Sequence, residues 1–307
     1  MVYKMTQNKW EFVDCNLCNS TDYSDLYKVG SHCIVKCSKC GLVYENPRPT
    51  IQELQNSNLS IYASNEYEQM YLDYRELLSE RFHKRLTEIG QWVSSGGRLM
   101  DIGCSFGLFL KIAESFDIWE CMGVEVNEKT AEYARGRLGL NVVTGQLGHL
   151  KFPSGHFDVV TMWDVLEHTP DPYSYLWEVR RILKDNGLVA IQLPNIESFL
   201  ARLGREQWEW LTPPDHLYHF SPATLQAILK KAGFKVLKIK TEEPSKIFIN
   251  SILSRWTFTG PTHPIKAVVT KIIKRVHFAF LPFQWINWWR GKGALIVTYA
   301  KPATMHK

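Results

Sequence analysis

Five of the seven cysteines fall within 26 residues, and four of them form two pairs, Cys15-Asn-Leu-Cys18 and Cys37-Ser-Lys-Cys40, separated by 18 residues. Each C-x-x-C turn presents two sulfurs, and two such turns complete the tetrahedral thiolate set of a structural zinc ion, with no position open to water or substrate. Gly41, directly after the second pair, lets the backbone turn tightly beneath the metal. Cys33 and His32 are spare candidates; Cys33 lies on the strand-like run His32–Cys37 and is read as packing. A second chemistry begins at Asp101-Ile-Gly103-Cys104-Ser105-Phe-Gly107, a short buried strand, a glycine turn and an apolar helix. About two dozen residues on, another strand ends at Glu125, where doubly wound folds place a carboxylate to accept both hydroxyls of a ribose. The same glycines satisfy G-x-S-x-G, the nucleophile elbow of hydrolases, with Asp164 and His216 following in triad order. That reading fails on position. The turn follows the first strand of its sheet, so no upstream strand and loop exist for an oxyanion hole, and Glu125 would have no task.

The elements that must hold these residues follow from periodicity. Residues 1–50 read as a ribbon that ends at Pro47 and Pro49, which halt regular structure. Residues 51–95 read as helices, with Leu72, Leu77, Leu78, Phe82, Leu86 and Ile89 forming one apolar stripe. From 96 to 307 strands and helices alternate, with strands at Asn141–Thr144, Phe157–Trp163, Gly187–Leu193, Phe234–Lys240 and Ala294–Ala300. Such alternation predicts an α/β domain with a mostly parallel sheet, its ligand lying across the carboxyl ends of the strands.

The succession MDIGCSFG, GVEVN, KFPSGHFDVVTMWDVLEHTPDP and RILKDNGLVAIQLPN resembles the class I S-adenosylmethionine-dependent methyltransferases. The likeness is close over roughly residues 95–240 and looser at the last strand. The cysteine-bearing head and the run Trp210–Ser221 are similar to a narrower bacterial group that couples a zinc ribbon to such a domain, including sugar C-methyltransferases. The resemblance implies a seven-stranded Rossmann-like sheet with an antiparallel last strand, and S-adenosylmethionine as cofactor beside the structural zinc. Asp101, Gly103, Cys104 and Gly107 would shape the turn around the methionine part of the cofactor. Glu125 and Val126 would hold the ribose, Gln146 and Leu147 the adenine, and Asp164 the sulfonium region. Ser105 replaces the usual middle glycine and Gln146 the usual Asp, a change that still leaves an acceptor for the adenine amino group.

Methyl transfer from a sulfonium is an in-line displacement, so the protein aligns the acceptor and, where needed, removes its proton. His168, one short loop beyond Asp164, and His216, with acidic Asp215 beside it, are the candidates for that work; by resemblance to the sugar C-methyltransferases, His216 is the expected base. Packing or capping is the alternative role for each histidine. Tyr62, Tyr67 and Tyr71 are candidate stacking surfaces for a sugar, with core packing the default. The expected acceptor is a small molecule or saccharide, with a lipid-linked one in view. The alternatives are RNA, or a methyltransferase-like module that binds the cofactor without turnover.

With 22% charged and 45% hydrophobic residues, the 307-residue chain is neither a disordered tail nor a disulfide-stapled mini-protein. Its net charge of +5 is unevenly placed: ten Lys or Arg and no acid lie between Pro244 and Lys307, which leaves residues 1–243 at −5. Most of those cations fall in an insertion, 241–293, before the last strand. There Ile265, Val268, Val269, Ile272, Ile273, Val276 and Phe280 mark one helical face, and Lys266, Lys271, Lys274 and Arg275 the other. Followed by Trp285, Trp288 and Trp289, the stretch 265–290 has the composition of an in-plane anchor on anionic lipid; a lid or a homodimer surface is the competing expectation. No stretch has the length of a secretory signal or a membrane span, so a cytoplasmic protein, peripheral at the inner face of the membrane, is expected. An acidic body disfavours nucleic acid as a partner.

Overall fold

The computed structural model describes residues 9–54, 65–242 and 290–303. The N-terminal part contributes β1 (Trp10–Glu11), β2 (Tyr23–Val29), β3 (His32–Cys37), β4 (Val43–Glu45) and β5 (Arg48–Pro49). A long helix α1 (Asn65–Gly90) leads into β6 (Gly97–Ile102), α2 (Leu108–Glu114), β7 (Trp119–Glu125), α3 (Glu128–Leu138), β8 (Val142–Thr144) and β9 (Phe157–Trp163). The remainder comprises α4 (Pro172–Ile182), β10 (Leu183–Pro194), α5 (Phe199–Gly204), β11 (Tyr218–His219), α6 (Pro222–Lys231), β12 (Phe234–Glu242) and β13 (Leu295–Pro302).

Seven strands form one sheet in the order β12-β13-β10-β9-β6-β7-β8. β8, β7, β6, β9 and β10 run parallel, and only β13 runs against its neighbours β10 and β12. This is the expected Rossmann-like sheet with an antiparallel last strand. Successive strand residues point to opposite faces, so Met100 and Val160 join one core with Leu176 and Ile228 of α4 and α6. Leu99 and Val159 join the other, with Ile89 and Phe109 of α1 and α2. The chain order reverses between β6 and β9, which opens a crevice at their carboxyl ends.

Local sequence fixes the helix starts around that crevice. Asn127 caps α3 by accepting from Thr130 N, and Gly139 ends it in the left-handed conformation. Asp171 caps α4 and Ser221 caps α6, each followed by proline at the first helical position.

The N-terminal sheet holds a strand from far along the chain: its order is β11-β4-β3-β2, with Tyr218 opposite Tyr44 and His219 opposite Val43. The sequence places 210–221 in a loop, because two strand residues inside a Pro- and aromatic-rich stretch carry no periodic signal. The first C-x-x-C turn is also tied down: Asn16 Nδ2 donates to Asp171 Oδ1 at 2.8 Å, and Asn16 Oδ1 accepts from Tyr173 N at 2.8 Å. Cys15, Val35, Cys37 and Tyr44 belong to the same buried cluster as α4 and α6.

Candidate active site and metal-ligating clusters

At the head, Cys15, Cys18, Cys37 and Cys40 bring their sulfurs within 4.8 Å of one another. Cys15 and Cys40 are 3.4 Å apart, and Cys18 and Cys37 3.5 Å. Gly41, at φ 78°, closes the second turn as expected. Cys33, on β3, is no part of the cluster. At Cys37, burial is outweighed by the N–H groups of Cys40 and Lys39, which draw the thiol down to about 7.

The glycine turn after β6 sits on a buried floor. Gly103 (φ 70°) and Gly107 (φ 85°) both take the left-handed conformation, and a Cβ on Gly103 would stand 2.6 Å from Val165 Cγ2. Ser105 adopts the same region at φ 49° without being glycine, and its N–H donates to Glu125 Oε2 at 2.8 Å. Glu125 Oε1 accepts from Asn127 N at 2.9 Å. The carboxylate that ends β7 is therefore oriented by two backbone donors, while burial raises its pKa. Asp101 lies beneath, accepting from Thr161 Oγ1 at 2.6 Å, and burial pushes it up to about 8.

The residues expected to touch a cofactor divide into two sets. Gly103, Val126, Gln146 and Asp164 are exposed at the strand ends, whereas Asp101, Cys104, Gly107, Glu125 and Leu147 are buried under or behind them. Asp164 is another non-glycine at positive φ, 56°, a strained conformation of the kind that collects at functional sites. Though open to the crevice, its carboxyl is desolvated enough to be raised, with Arg81 opposing.

Behind Asp164 is a charged network that sequence reasoning missed. Gln192 Nε2 donates to Asp164 Oδ2 at 3.0 Å, and Gln192 Oε1 accepts from Arg85 Nη2 at 3.0 Å. Arg85, whose side chain is fully buried, also donates to Glu242 Oε2 at 2.8 Å and Glu88 Oε2 at 3.2 Å. Lys240 joins both carboxylates, and Tyr299 donates to Glu88. A signal existed: Arg85 falls on the stripe of Leu78, Phe82, Leu86 and Ile89, where a buried helix face has no ordinary place for a cation.

The expected catalytic residues come together. His168 and His216 meet edge to face with centroids 4.6 Å apart. His168 Nδ1 lies 2.8 Å from the Asp215 carbonyl and 3.2 Å from Asp215 Oδ1. His216 Nδ1 lies 2.8 Å from the Trp210 carbonyl, and its Nε2 is 3.9 Å from Asp215 Oδ2. Burial opposes protonation at both rings. At His168 the Asp215 carboxylate wins and raises the pKa to about 9; at His216 burial and the His168 charge bring it to about 3. Asp215 thus serves chiefly His168. Tyr71 packs against Phe106, with centroids 4.6 Å apart. Tyr62, the Tyr67 side chain and the amphipathic stretch 265–289 lie outside the described residues.

Comparison with known proteins agrees with this geometry. Residues 73–239 match a family described as a methyltransferase domain. Among curated relatives, a ubiquinone biosynthesis O-methyltransferase of Thiobacillus denitrificans is 27% identical, over 56% of this chain and 79% of its own. One from Caulobacter sp. is 30% identical, over 55% and 69%. An uncharacterized protein of Methanocaldococcus jannaschii is 29% identical, over 46% of this chain; the match spans 66% of that relative's length. A solved SAM-dependent methyltransferase from Archaeoglobus fulgidus has the same fold, with a TM-score of 0.54 at 22% identity, covering 76% of this chain and 99% of the other.

Proposed function

Because the chain belongs to the methyltransferase-domain family, with more than half of its length inside the match, we propose that it transfers a methyl group from S-adenosylmethionine to a small-molecule or saccharide acceptor. The observation that carries this reading is the order of groups along the strand ends: Gln146, Glu125, the Gly103–Gly107 turn and Asp164 follow β8, β7, β6 and β9 across one crevice.

The residues present fit the cofactor. Glu125 is aimed by two N–H groups and retains lone pairs for the ribose hydroxyls, and exposed Gln146 offers a carbonyl to the adenine amino group. Gly103 leaves its backbone open beside Asp164. Arg81, within electrostatic reach of Asp164, is a cation for the methionine carboxylate. When bound, the sulfonium supplies an electrophilic methyl group for in-line displacement.

The His168–Asp215–His216 cluster, in which only His168 comes from the turn after Asp164, handles the acceptor's proton. The four-cysteine cluster would hold a structural zinc, and its ribbon, through β11, sets the segment that carries His216. Isothermal titration with S-adenosylmethionine and S-adenosylhomocysteine tests the crevice: both bind with micromolar affinity, and Glu125→Ala weakens each by at least ~10-fold. Methyl transfer from labelled cofactor to nucleotide-linked sugars, with ubiquinone-type phenols and RNA as competitors, tests the acceptor. Binding without transfer to any of these would leave a cofactor-binding module.

A further inference from the structure

Pro47-Arg48-Pro49 closes the ribbon, and the arginine between the two prolines reaches out of it. Each proline fixes its own φ, so the backbone around Arg48 is stiff, and β5 is paired with β1, which sets Arg48 opposite Glu11. From this mount the Arg48 side chain runs into the protein and is only 9% exposed. Its Nε donates to Glu11 Oε1 at 2.9 Å, and its Nη1 donates to the Pro170 carbonyl at 2.6 Å and to Tyr218 Oη at 3.3 Å. Tyr218 Oη donates to the same Pro170 carbonyl at 3.2 Å, so Arg48, Tyr218 and Pro170 close a triangle of hydrogen bonds. Taking a guanidinium out of water is costly unless its partners are in place. Its planar fork meets Glu11 and Pro170 in two directions at once, a geometry that the single ammonium of a lysine does not match.

The two groups that Arg48 joins lie beside the two histidines. Pro170 comes two residues after His168, and Tyr218 two residues after His216. The same two segments meet again on the other side of His168, where Leu217 N donates to Glu167 O at 2.9 Å. Asp215, which pairs with His168, belongs to the His216 segment, so that pair exists only while the segments keep their register. Asn16 fastens the start of α4 to the ribbon, and β4 fastens β11, but the Arg48–Tyr218 pair ties the two histidine segments to each other. We propose that Arg48, acting with Tyr218 through the Pro170 carbonyl, is a positioning residue that sets His168, Asp215 and His216 against one another from within the cysteine ribbon. Its effect on turnover rests on the proposed methyl transfer, whereas the register of the two segments does not.

The test follows the imidazole titration of His168 by NMR in the full-length protein, together with kcat and S-adenosylmethionine affinity. In wild type the carboxylates of Asp215 and Glu167 outweigh burial and raise the His168 pKa to about 9. Arg48→Met keeps the apolar stem and removes the donors; His168 should then bind its proton at least ~10-fold more weakly, as Asp215 slips from the ring. The same variant should lose at least ~10-fold in kcat, because a misplaced proton-handling group is costly, with S-adenosylmethionine affinity unchanged. Tyr218→Phe removes one oxygen from a ring that stays packed on Tyr44, and should move both readouts in the same direction; it decides the matter if Arg48→Met fails to fold. A folded variant with the His168 titration of wild type overturns the proposal, even where its stability has fallen, and so does one with unchanged kcat. Wild type in which His168 titrates like a free imidazole overturns it too, because Asp215 would not then be held against the ring. Wild type that binds cofactor yet methylates no acceptor would sink the methyl-transfer reading, and the His168 titration would still decide the register.

Discussion

Asp101 underlies the glycine turn of the crevice without opening onto it. It is 2% exposed and within the field of Glu125, and although the hydrogen bond from Thr161 favours the ionised form, burial wins and its carboxyl stays protonated up to about pH 8. In the unfolded chain the same group ionises near ~3.9. Between those values the folded state holds the extra proton, so this residue makes stability fall as pH rises, by at most ~1.4 kcal/mol per pH unit. The slope is absent below the unfolded value and flattens above the folded one. Asp101→Asn keeps the shape without the proton, and its urea unfolding should be less pH-dependent than wild type between pH 5 and 8. An unchanged slope would show that Asp101 is ionised in the fold. The type and place of Asp101 were legible in the sequence, since a strand-end acid before a glycine turn has few roles. Its protonation was not, because that depends on burial by the assembled sheet and on the field of Glu125, which no local pattern reveals.

At the scale of elements, α1 is fastened to the sheet by ions. Arg85 links Glu88 on its own helix, Glu242 at the end of β12 and Gln192 at the end of β10, and through Gln192 it reaches Asp164. Removing one partner from such a buried group strands the others, at a cost of ~3–5 kcal/mol. Arg85→Ala should therefore lower the unfolding midpoint in denaturant, and should also weaken cofactor affinity, because Gln192 loses the contact that fixes its amide. A stability loss with unchanged affinity would show that Asp164 is positioned independently. The ribbon offers a second case. Its cysteines were readable because C-x-x-C spacing is local, whereas the pairing of β11 with β4 was not, because it joins Tyr44 to Tyr218 across the chain. Breaking the ribbon with Cys18→Ser should leave cofactor affinity within about threefold, since the other face of β6 and β9 packs with α1 and α2 in a core that the ribbon does not share, yet cut turnover at least ~100-fold by releasing the segment that carries His216. Equal losses of both would mean that the two parts unfold together.

Over the whole molecule, the two ends of the basic insertion meet at one rim. The segment 243–289 leaves from Glu242 and returns at Arg290, and both of its roots are held at the carboxyl end of β10. Asn195 Nδ2 donates to the Gly291 and Gly293 carbonyls at 3.1 and 2.8 Å, Gly293 N donates to Thr241 Oγ1 at 3.1 Å, and Lys292 pairs with Glu197 at 2.8 Å. Since β12 runs parallel to β10, those roots stand on the crevice side of the sheet. Among the described residues no helix is long and apolar enough to cross a membrane. We propose that the basic stretch 265–290 contacts anionic lipid, so that a lipid-linked acceptor would arrive beside Asp164 and His216. Each Lys or Arg near such a surface contributes about 1 kcal/mol at low ionic strength, and the attraction fades as the Debye length shortens. The chain should co-sediment with phosphatidylserine vesicles in dilute buffer, release at high salt, and ignore phosphatidylcholine vesicles. Replacing Lys266, Lys271, Lys274 and Arg275 with Gln should abolish the binding without changing S-adenosylmethionine affinity. If wild type stays in the supernatant with anionic vesicles while light scattering gives the mass of two chains, the apolar face serves a second copy of the chain, and lipid delivery is excluded.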